Sequence, residues 1–470
     1  MDFRTTSIER LVDDVRARRV SVRELTEAAL QNIEKVNPGI NAFCAVHPDD
    51  AIAQANALDA RLARGDPVGP LAGIPLGVKD LEDAAGYSTT YGSALHASDP
   101  PAATDSVLVA RLKRAGCVVV GKTNTPEFGY KAVTDNRPFG FTRNPWSLGH
   151  TAGGSSGGSA AAVSAGMVPL ATGSDGGGSI RIPAAVCGFT GLKASQGRVP
   201  VGGANPPGSG ILTVKGPMTL RARDLALALD SVVGDEASDV FGLPHPGYSY
   251  RAALDAPNAP AAVVWSANMG FAEVDREIAD ACSAFVKRLA SAGVRVIERP
   301  TVWDEDAVVP WYTFWSAQRA RAQGHLKGTP AWAQIDDGLK PQIEHGLTVT
   351  GVDYARAIDA CHYLNGRLEM AFTGAALVLT PTLSGQPPRE GGAGGIVNGN
   401  VTPGWVSFTY GINMTRNPAG TVCVGFTESG LPIGLQVIGR QRDDVSVLKA
   451  LCFFEDLAGP PRFAPHGVSG

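Results

Sequence analysis

The sequence predicts an α/β fold built around a mainly parallel sheet, and three observations lead there. Two short apolar runs, Leu71 to Val78 and Cys117 to Val120, enclose a helical stretch near Asp105 to Ala115 at the spacing of a βαβ unit. The same order recurs as Val263 to Ser266, Val274 to Ala292 and Val294 to Ile297. Across 470 residues, 44% hydrophobic and 18% charged residues describe an ordinary globular chain with a large core, which sets aside disorder, coiled coil and collagen.

Each element has its own signal. Ser21 with Glu24 forms a capping box, and Val22, Leu25, Ala29 and Ile33 recur on one face, so a helix runs from there to Asn37-Pro38-Gly39. A second helix fits Asp50 to Arg64 and ends at Gly65. The strand Leu71 to Val78 delivers Lys79 and Asp80. Small residues dominate from Ser159 to Val168, which suggests a helix packed closely on its neighbours, and Leu220 to Val233 reads as another helix. Trp303, Trp311, Trp315 and Trp332 cluster with Tyr312 and Phe314; the spacing suits both a buried helix face and a pocket wall. Leu377 to Leu379 and Leu435 to Ile438 read as late strands, and the Gly- and Pro-rich segment Gln386 to Pro403 as a surface loop and candidate lid.

Charge narrows the partners. Lys and Arg number 41 against 45 acids, so no basic field points to nucleic acid or an anionic membrane, and a small molecule is the expected partner. The stretch MDFRTTSIERLVDDVRARR lacks an apolar secretory core, and the small-residue tract from Ala160 to Ala171 is interrupted by Ser164, Gly166 and Pro169; a cytoplasmic protein without a membrane span is expected. Seven scattered cysteines without a C-x-x-C pair fit packing thiols rather than disulfides or zinc, and neither metal nor cofactor is expected.

Two motifs mislead. GCVVVGKT (116 to 123) matches the phosphate-loop pattern, but Cys117 to Val120 is itself an apolar strand where that loop needs a turn, and Thr125-Pro126 opposes the helix that should follow. GGSSG (153 to 157) matches the nucleophile elbow, which requires a buried strand before it; here Asn144 to Thr151 reads as a Pro- and Gly-bearing loop. The downstream histidines, His245, His325, His345, His362 and His466, are candidate bases without a distinctive setting.

A serine can be activated without histidine, and the glycine excess shows how. The 57 glycines concentrate between Gly149 and Gly210, in GGSSGGSAAAV (153 to 163) and GSDGGGSIRIPAA (173 to 185). Three consecutive glycines precede Ser179; without Cβ atoms, successive N–H groups can turn toward one point and form a backbone oxyanion hole. Lys79 follows an apolar strand, where desolvation lowers its pKa and frees a neutral amine to act as base.

With these segments in view, the chain resembles the amidase signature family of serine hydrolases. The match runs in order through GIPLGVKD (73 to 80), VVVGKTNTPEFG (118 to 129), TRNPW (142 to 146), GGSSGGSAAAV, TGSDGGGSIRIPAAVCG (172 to 188), GLKASQGRVP (191 to 200) and GLPIGLQVIGR (430 to 440). The resemblance implies one amidase signature domain over 1–470, with a large twisted, mixed and mostly parallel sheet flanked by helices on both faces. Its parts would be a helical N-terminal segment at 1–65, a catalytic core at about 66–235 and 260–300, a variable substrate-side region at about 300–405 and a return to the core at 406–460. It implies Ser179 as nucleophile, Ser155 as bridging serine behind a cis peptide, Lys79 as general base, and the N–H groups of Gly176, Gly177, Gly178 and Ser179 as the oxyanion hole. Neutral Lys79 would then draw a proton through Ser155 from Ser179, whose oxygen attacks the carbonyl and forms an acyl-enzyme cleared by water. Asp80 is expected to point away from Lys79, and Asp175 to pair with Arg181 and brace the loop.

Departures bear on substrate. Gly176 stands where threonine is common and Ala194 where proline is frequent. Ile182 replaces the glutamine common in the A-type subunit of the tRNA-dependent amidotransferase, and GRVP continues as VGGAN instead of the GRVSRYG-like run found there. A free-standing hydrolase of an apolar aryl or alkyl amide is therefore expected. Carbamate (urethanase) or ester cleavage is the near alternative, and an amidotransferase A-type subunit is the alternative of another class. No cluster of Arg or Lys appears in the variable segments, which disfavours a charged substrate, and a homodimer is a family-level expectation.

Overall fold

The computed structural model describes residues 1–203, 210–255 and 259–468, so the end of the VGGAN run lies outside the described residues. Its main strands form two mixed sheets. The first has the order Phe43–Val46, Val118–Thr123, Pro75–Lys79, Leu170–Asp175, Val214–Thr219. Pro75–Lys79 runs parallel to both neighbours, and the two edge strands are antiparallel. The second has the order Arg295–Glu298, Ala262–Trp265, Leu377–Pro381, Pro432–Gly439, Ala419–Phe426, Gly191–Lys193. Its first three strands are parallel and the rest antiparallel. Gly191–Lys193 packs against Val214–Thr219, which brings the sheets side by side.

Parallel pairing is thus confined to the predicted βαβ units and the strands added beside them. The crossovers are Val107–Arg114 and Arg276–Ser291, and a helical crossover is what a parallel pair requires. Ala419–Phe426 and Pro432–Gly439 are joined by a short turn that permits only antiparallel pairing, which is why the sheet is less parallel than periodicity predicts.

The N-terminal reading holds closely. The capping box opens a helix over Val22–Ile40 that carries Pro38 inside its last turn, and Pro48–Arg64 ends at Gly65, whose φ of 76° suits glycine. Two boundaries move. The strand predicted from Leu71 is only Pro75–Lys79, preceded by a turn at Leu71 to Gly73. The small-residue helix is Gly157–Ser164, after which the chain turns into Leu170–Asp175. All eight residues of that helix are buried, and a Cβ at Gly158 would overlap the backbone of Asn124 and Ala42, so the small residues are the condition for its position.

The segment from Gln386 is ordered by its own hairpin, Gly395–Val397 with Asn400–Thr402. It is held by Gln386 N donating to Ile396 O at 2.8 Å and by Asn398 N donating to Asp275 Oδ2 at 3.1 Å. Among the described residues no helix is long and apolar enough to cross a membrane.

Candidate active site

The strand Pro75–Lys79 is buried throughout, and the N–H of Lys79 donates to Thr172 Oγ1 on the neighbouring strand at 2.8 Å. The side chain therefore leaves the sheet between the two glycine-rich segments. There Lys79 Nζ lies 2.8 Å from Ser155 Oγ, 2.8 Å from Ser156 Oγ and 3.0 Å from Ser174 Oγ. No carboxylate touches it among the described residues. Burial pushes its pKa down from 10.5 to about 7, against the more distant pull of Glu82 and Asp175.

Asp80 turns the other way, as predicted. It accepts from Thr90 Oγ1 and from Thr90 N at 3.2 Å, and forms a buried ion pair with Lys122 at 3.2 Å. Lys122 is the lysine of the phosphate-loop look-alike. It lies on the strand Val118–Thr123 and donates to Glu82 O at 2.7 Å and Thr89 Oγ1 at 2.8 Å, so no phosphate cradle exists there.

Of the other candidate residues, Ser155, Gly176 and Ser179 line one cleft of about 520 Å³, together with Ser174, while Gly177 and Gly178 are not on its wall. The Gly154–Ser155 peptide is cis, and a Cβ on Gly154 would stand 2.8 Å from the backbone of Ala132 and Val133. Ser156 N donates to Ser179 O at 3.2 Å, tying the two glycine-rich segments together. Ser155 Oγ and Ser179 Oγ share the cleft without a hydrogen bond between them.

The loop bearing Ser179 is braced as expected and by more partners than expected. Arg181 and Asp175 are both buried and form a two-point pair, Nε to Oδ2 and Nη2 to Oδ1, each at 3.0 Å. Burial would raise the Asp175 carboxyl, but the Arg181 guanidinium outweighs it and holds the pKa at about 2. Asn413 and Gln436 complete the cluster, accepting from Arg181 at 2.7 and 2.8 Å.

Gly178 N donates to Asp175 Oδ1 at 2.7 Å, so this predicted oxyanion donor is already engaged by the brace. Among the described residues the N–H groups of Gly176, Gly177 and Ser179 have no acceptor in the chain. Trp311 Nε1 donates to Gly176 O at 3.1 Å, and Thr409 Oγ1 to Gly177 O at 2.6 Å. In a trans peptide the N–H points opposite the C=O, so fixing the Gly176 carbonyl on Trp311 aims Gly177 N–H away from that ring.

The tryptophans divide. Trp303 is buried in a second apolar cluster, and Trp332 packs beside a small third one. Trp311 stands behind the glycine loop, stacked on Trp315 and Tyr410 with ring centres 5.2 Å away in each case. Trp315 lines the cleft, as do Phe128 and Tyr91.

The profile of the Amidase family matches residues 24–448. The chain belongs to the amidase signature family. It is 35% identical over 465 residues to an acylamidase of Rhodococcus erythropolis, with 96% of this chain and 94% of that one covered. It is also 34% identical over 450 residues to the A-type subunit of the glutamyl-tRNA(Gln) amidotransferase of Chloroflexus aggregans, with 91% of each chain covered. Among solved structures, a bacterial aryl acylamidase of the amidase signature enzymes superposes with a TM-score of 0.89 at 29% identity, over 97% of this chain and 99% of that one. The protein is thus an amidase-family hydrolase of carbon–nitrogen bonds.

Three expectations are corrected within this amidase signature site. The segment Gln386 to Pro403 contributes nothing to the cleft wall, because its hairpin packs toward Asp275; it is not positioned as a lid. The run before GGSSG does contain a strand, Ser147–Thr151, but it pairs with Arg143–Asn144 in a two-stranded hairpin and bridges to Arg389 through His150, outside both main sheets, so it is no elbow. Among the described residues no histidine hydrogen-bonds either serine. The variable region does place a cation in the cleft wall, Arg319, which charge clustering could not reveal.

Ser156 and Ser174, as partners of Lys79, are not reached by sequence reasoning. A signal exists for Ser174: it alternates with Thr172 along Leu170–Asp175, so both face the Lys79 strand. Trp311 and Thr409 escape it as anchors of the glycine loop, since both reach that loop from far along the chain.

Proposed function

We propose that the protein is a free-standing amidase that hydrolyses an apolar aryl or alkyl amide through an acyl-enzyme on Ser179. The observation that carries this reading is a buried amine, Lys79 Nζ, whose contacts are hydroxyls and whose pKa is pushed down to about 7. Such an amine is neutral in an appreciable fraction at physiological pH, and it touches Ser155 Oγ, the hydroxyl of the proposed relay to Ser179.

The steps follow from proton accounting. Lys79 takes the Ser155 proton while Ser155 takes that of Ser179, and Ser179 Oγ bonds to the amide carbon. The developing oxyanion faces the uncommitted N–H groups of Gly177 and Ser179. Ser155 then protonates the departing nitrogen and is itself reprotonated by Lys79. Water repeats the relay to release the acid. The apolar preference is supported by the rings of Trp315, Phe128 and Tyr91 on the cleft wall.

A second reading, an amidotransferase A-type subunit, is favoured by the 34% identity to such subunits. Ile182 and the VGGAN continuation speak against it. Assaying the purified chain alone separates the two, using 4-nitroacetanilide, a primary amide, an aryl carbamate and an aryl ester. Turnover of the anilide by the lone chain, lost in Ser179→Ala, upholds the proposal. Turnover gained only with added partner subunits upholds the second reading, and faster carbamate or ester cleavage would reassign the substrate.

A further inference from the structure

Arg319 and Gln323 lie one turn apart on the helix Val308–Gln323, and both line the cleft that holds Ser155 and Ser179. They are 4% and 8% exposed. The guanidinium of Arg319 lies over the ring of Trp315 at 4.4 Å and donates through Nη1 to Phe128 O at 2.8 Å. Its Nε, and Oε1 of Gln323, are buried without a hydrogen-bond partner.

Other buried arginines of this chain are answered by carboxylates. Arg181 pairs with Asp175 at 3.0 Å, Arg198 with Asp444 at 3.3 Å and Arg4 with Asp2 at 2.8 Å. Arg319 has no carboxylate partner among the described residues. Burial, with the like charge of Arg321 adding to it, pushes its pKa down to about 10, still far above neutrality. The acids on the same cleft wall do not neutralise it: Glu82 pairs with Lys215 at 2.8 Å, Asp105 pairs with Lys113 at 2.8 Å, and Asp83 forms no ion pair with Arg319. A charge held out of water without a counter-ion is unfavourable, and such a group persists where a ligand supplies the missing charge.

We propose that Arg319, seconded by Gln323, is an anion subsite of the cleft that takes a carboxylate carried by the substrate away from the scissile bond. The guanidinium offers Nε–H and the second terminal nitrogen as a planar fork, the geometry that fits two carboxylate oxygens. The Gln323 carboxamide turns about its last bond to present its amino group alongside. The substrate class becomes an amide with an apolar body, for the Trp315 and Phe128 rings, and an anionic end. This deepens the amidase reading and rests on it.

The test compares charged and neutral partners on both sides of the amide: N-succinyl- against N-butyryl-4-nitroanilide, and 4-acetamidobenzoate against acetanilide. At least one charged member should exceed its neutral partner by about tenfold or more in kcat/KM, chiefly through KM. Arg319→Met should abolish that ratio, Arg319→Lys should retain part of it, and Gln323→Leu should reduce it severalfold. The last two variants carry the test if Arg319→Met does not fold. Binding of the same charged compounds to Ser179→Ala, measured by calorimetry, reads the subsite without turnover and should weaken at least about tenfold on adding Arg319→Met. No charged advantage in rate or binding, or an advantage that survives Arg319→Met, overturns the subsite even if neutral anilides are cleaved. Arg319-dependent binding by a lone chain that cleaves no amide would overturn the amidase reading and uphold the subsite.

Discussion

Lys79 Nζ and Ser155 Oγ are 2.8 Å apart, buried, at the end of a strand whose five residues are all removed from solvent. This contact joins the two features on which the proposed chemistry depends. The sheet interior keeps the amine dry and so lowers its proton affinity, while the glycine-rich segment supplies a hydroxyl to relay through. The neighbouring carboxylate, Asp80, is drawn off by Lys122, so nothing adjacent restores the charge.

The first prediction is a pH profile. In the proposed mechanism the active form is the neutral amine, so kcat/KM should rise with pH through about 7 and level off above it. Stability follows the same linkage. An unfolded lysine holds its proton up to about 10.5 and the folded Lys79 only to about 7, so between these values the unfolded state carries the extra proton and stability rises with pH. Lys79→Met should lose turnover and also lose that part of the slope in denaturation measured from pH 7 to 10. A rate independent of pH below 7 would remove Lys79 as the base.

The two serines should behave differently. A fluorophosphonate probe followed by mass spectrometry should place one adduct on Ser179 and none in Ser179→Ala. Ser155→Ala leaves Lys79 bound to Ser156 and Ser174 but breaks the proposed relay and should lower kcat by about 10²–10⁴-fold. An adduct on Ser155 would reverse the assignment.

The brace behind the loop predicts a large stability effect. Asp175→Asn leaves Arg181 buried against neutral partners and should destabilise the fold by about 3–5 kcal/mol in denaturant titration. Because the native Asp175 pKa is held at about 2, below its usual 3.8, the wild-type pair contributes fully above 3.8 and is lost as pH falls through about 2. A variant as stable as the parent at pH 7 would show that the pair is dispensable.

What the sequence discloses and what it hides divide by range of contact. The capping box at Ser21 and Glu24, both βαβ units and the dry setting of Lys79 are local signals, written in spacing or in the few residues before the side chain. Periodicity overestimates the parallel character because the hairpin of Ala419–Phe426 and Pro432–Gly439 shows no period distinguishing it from a buried parallel strand. Arg319 looks like any helical arginine until the fold closes over it. The glycine and proline of 386–403 mark turns but do not say what the hairpin rests on. Trp311 and Trp315 share a helical spacing, yet one grips the glycine loop and the other faces the cleft, a distinction set by partners more than a hundred residues away.

That distinction yields the last prediction. Trp311→Phe keeps a ring for the stack with Trp315 and Tyr410 but removes the N–H that holds Gly176 O. The Gly176–Gly177 peptide is then free to rotate, and with it the N–H of Gly177, a proposed oxyanion donor. Losing one neutral hydrogen bond corresponds to about 0.5–1.5 kcal/mol, so kcat should fall by roughly 3- to 10-fold with KM little changed. Trp303→Phe is the control: Trp303 is buried with its N–H on Leu364 O at 3.1 Å, does not line the cleft and does not touch the glycine loop, so it should lower stability and leave kcat in place. Equal kinetic effects from the two would mean that Trp311 acts only through packing.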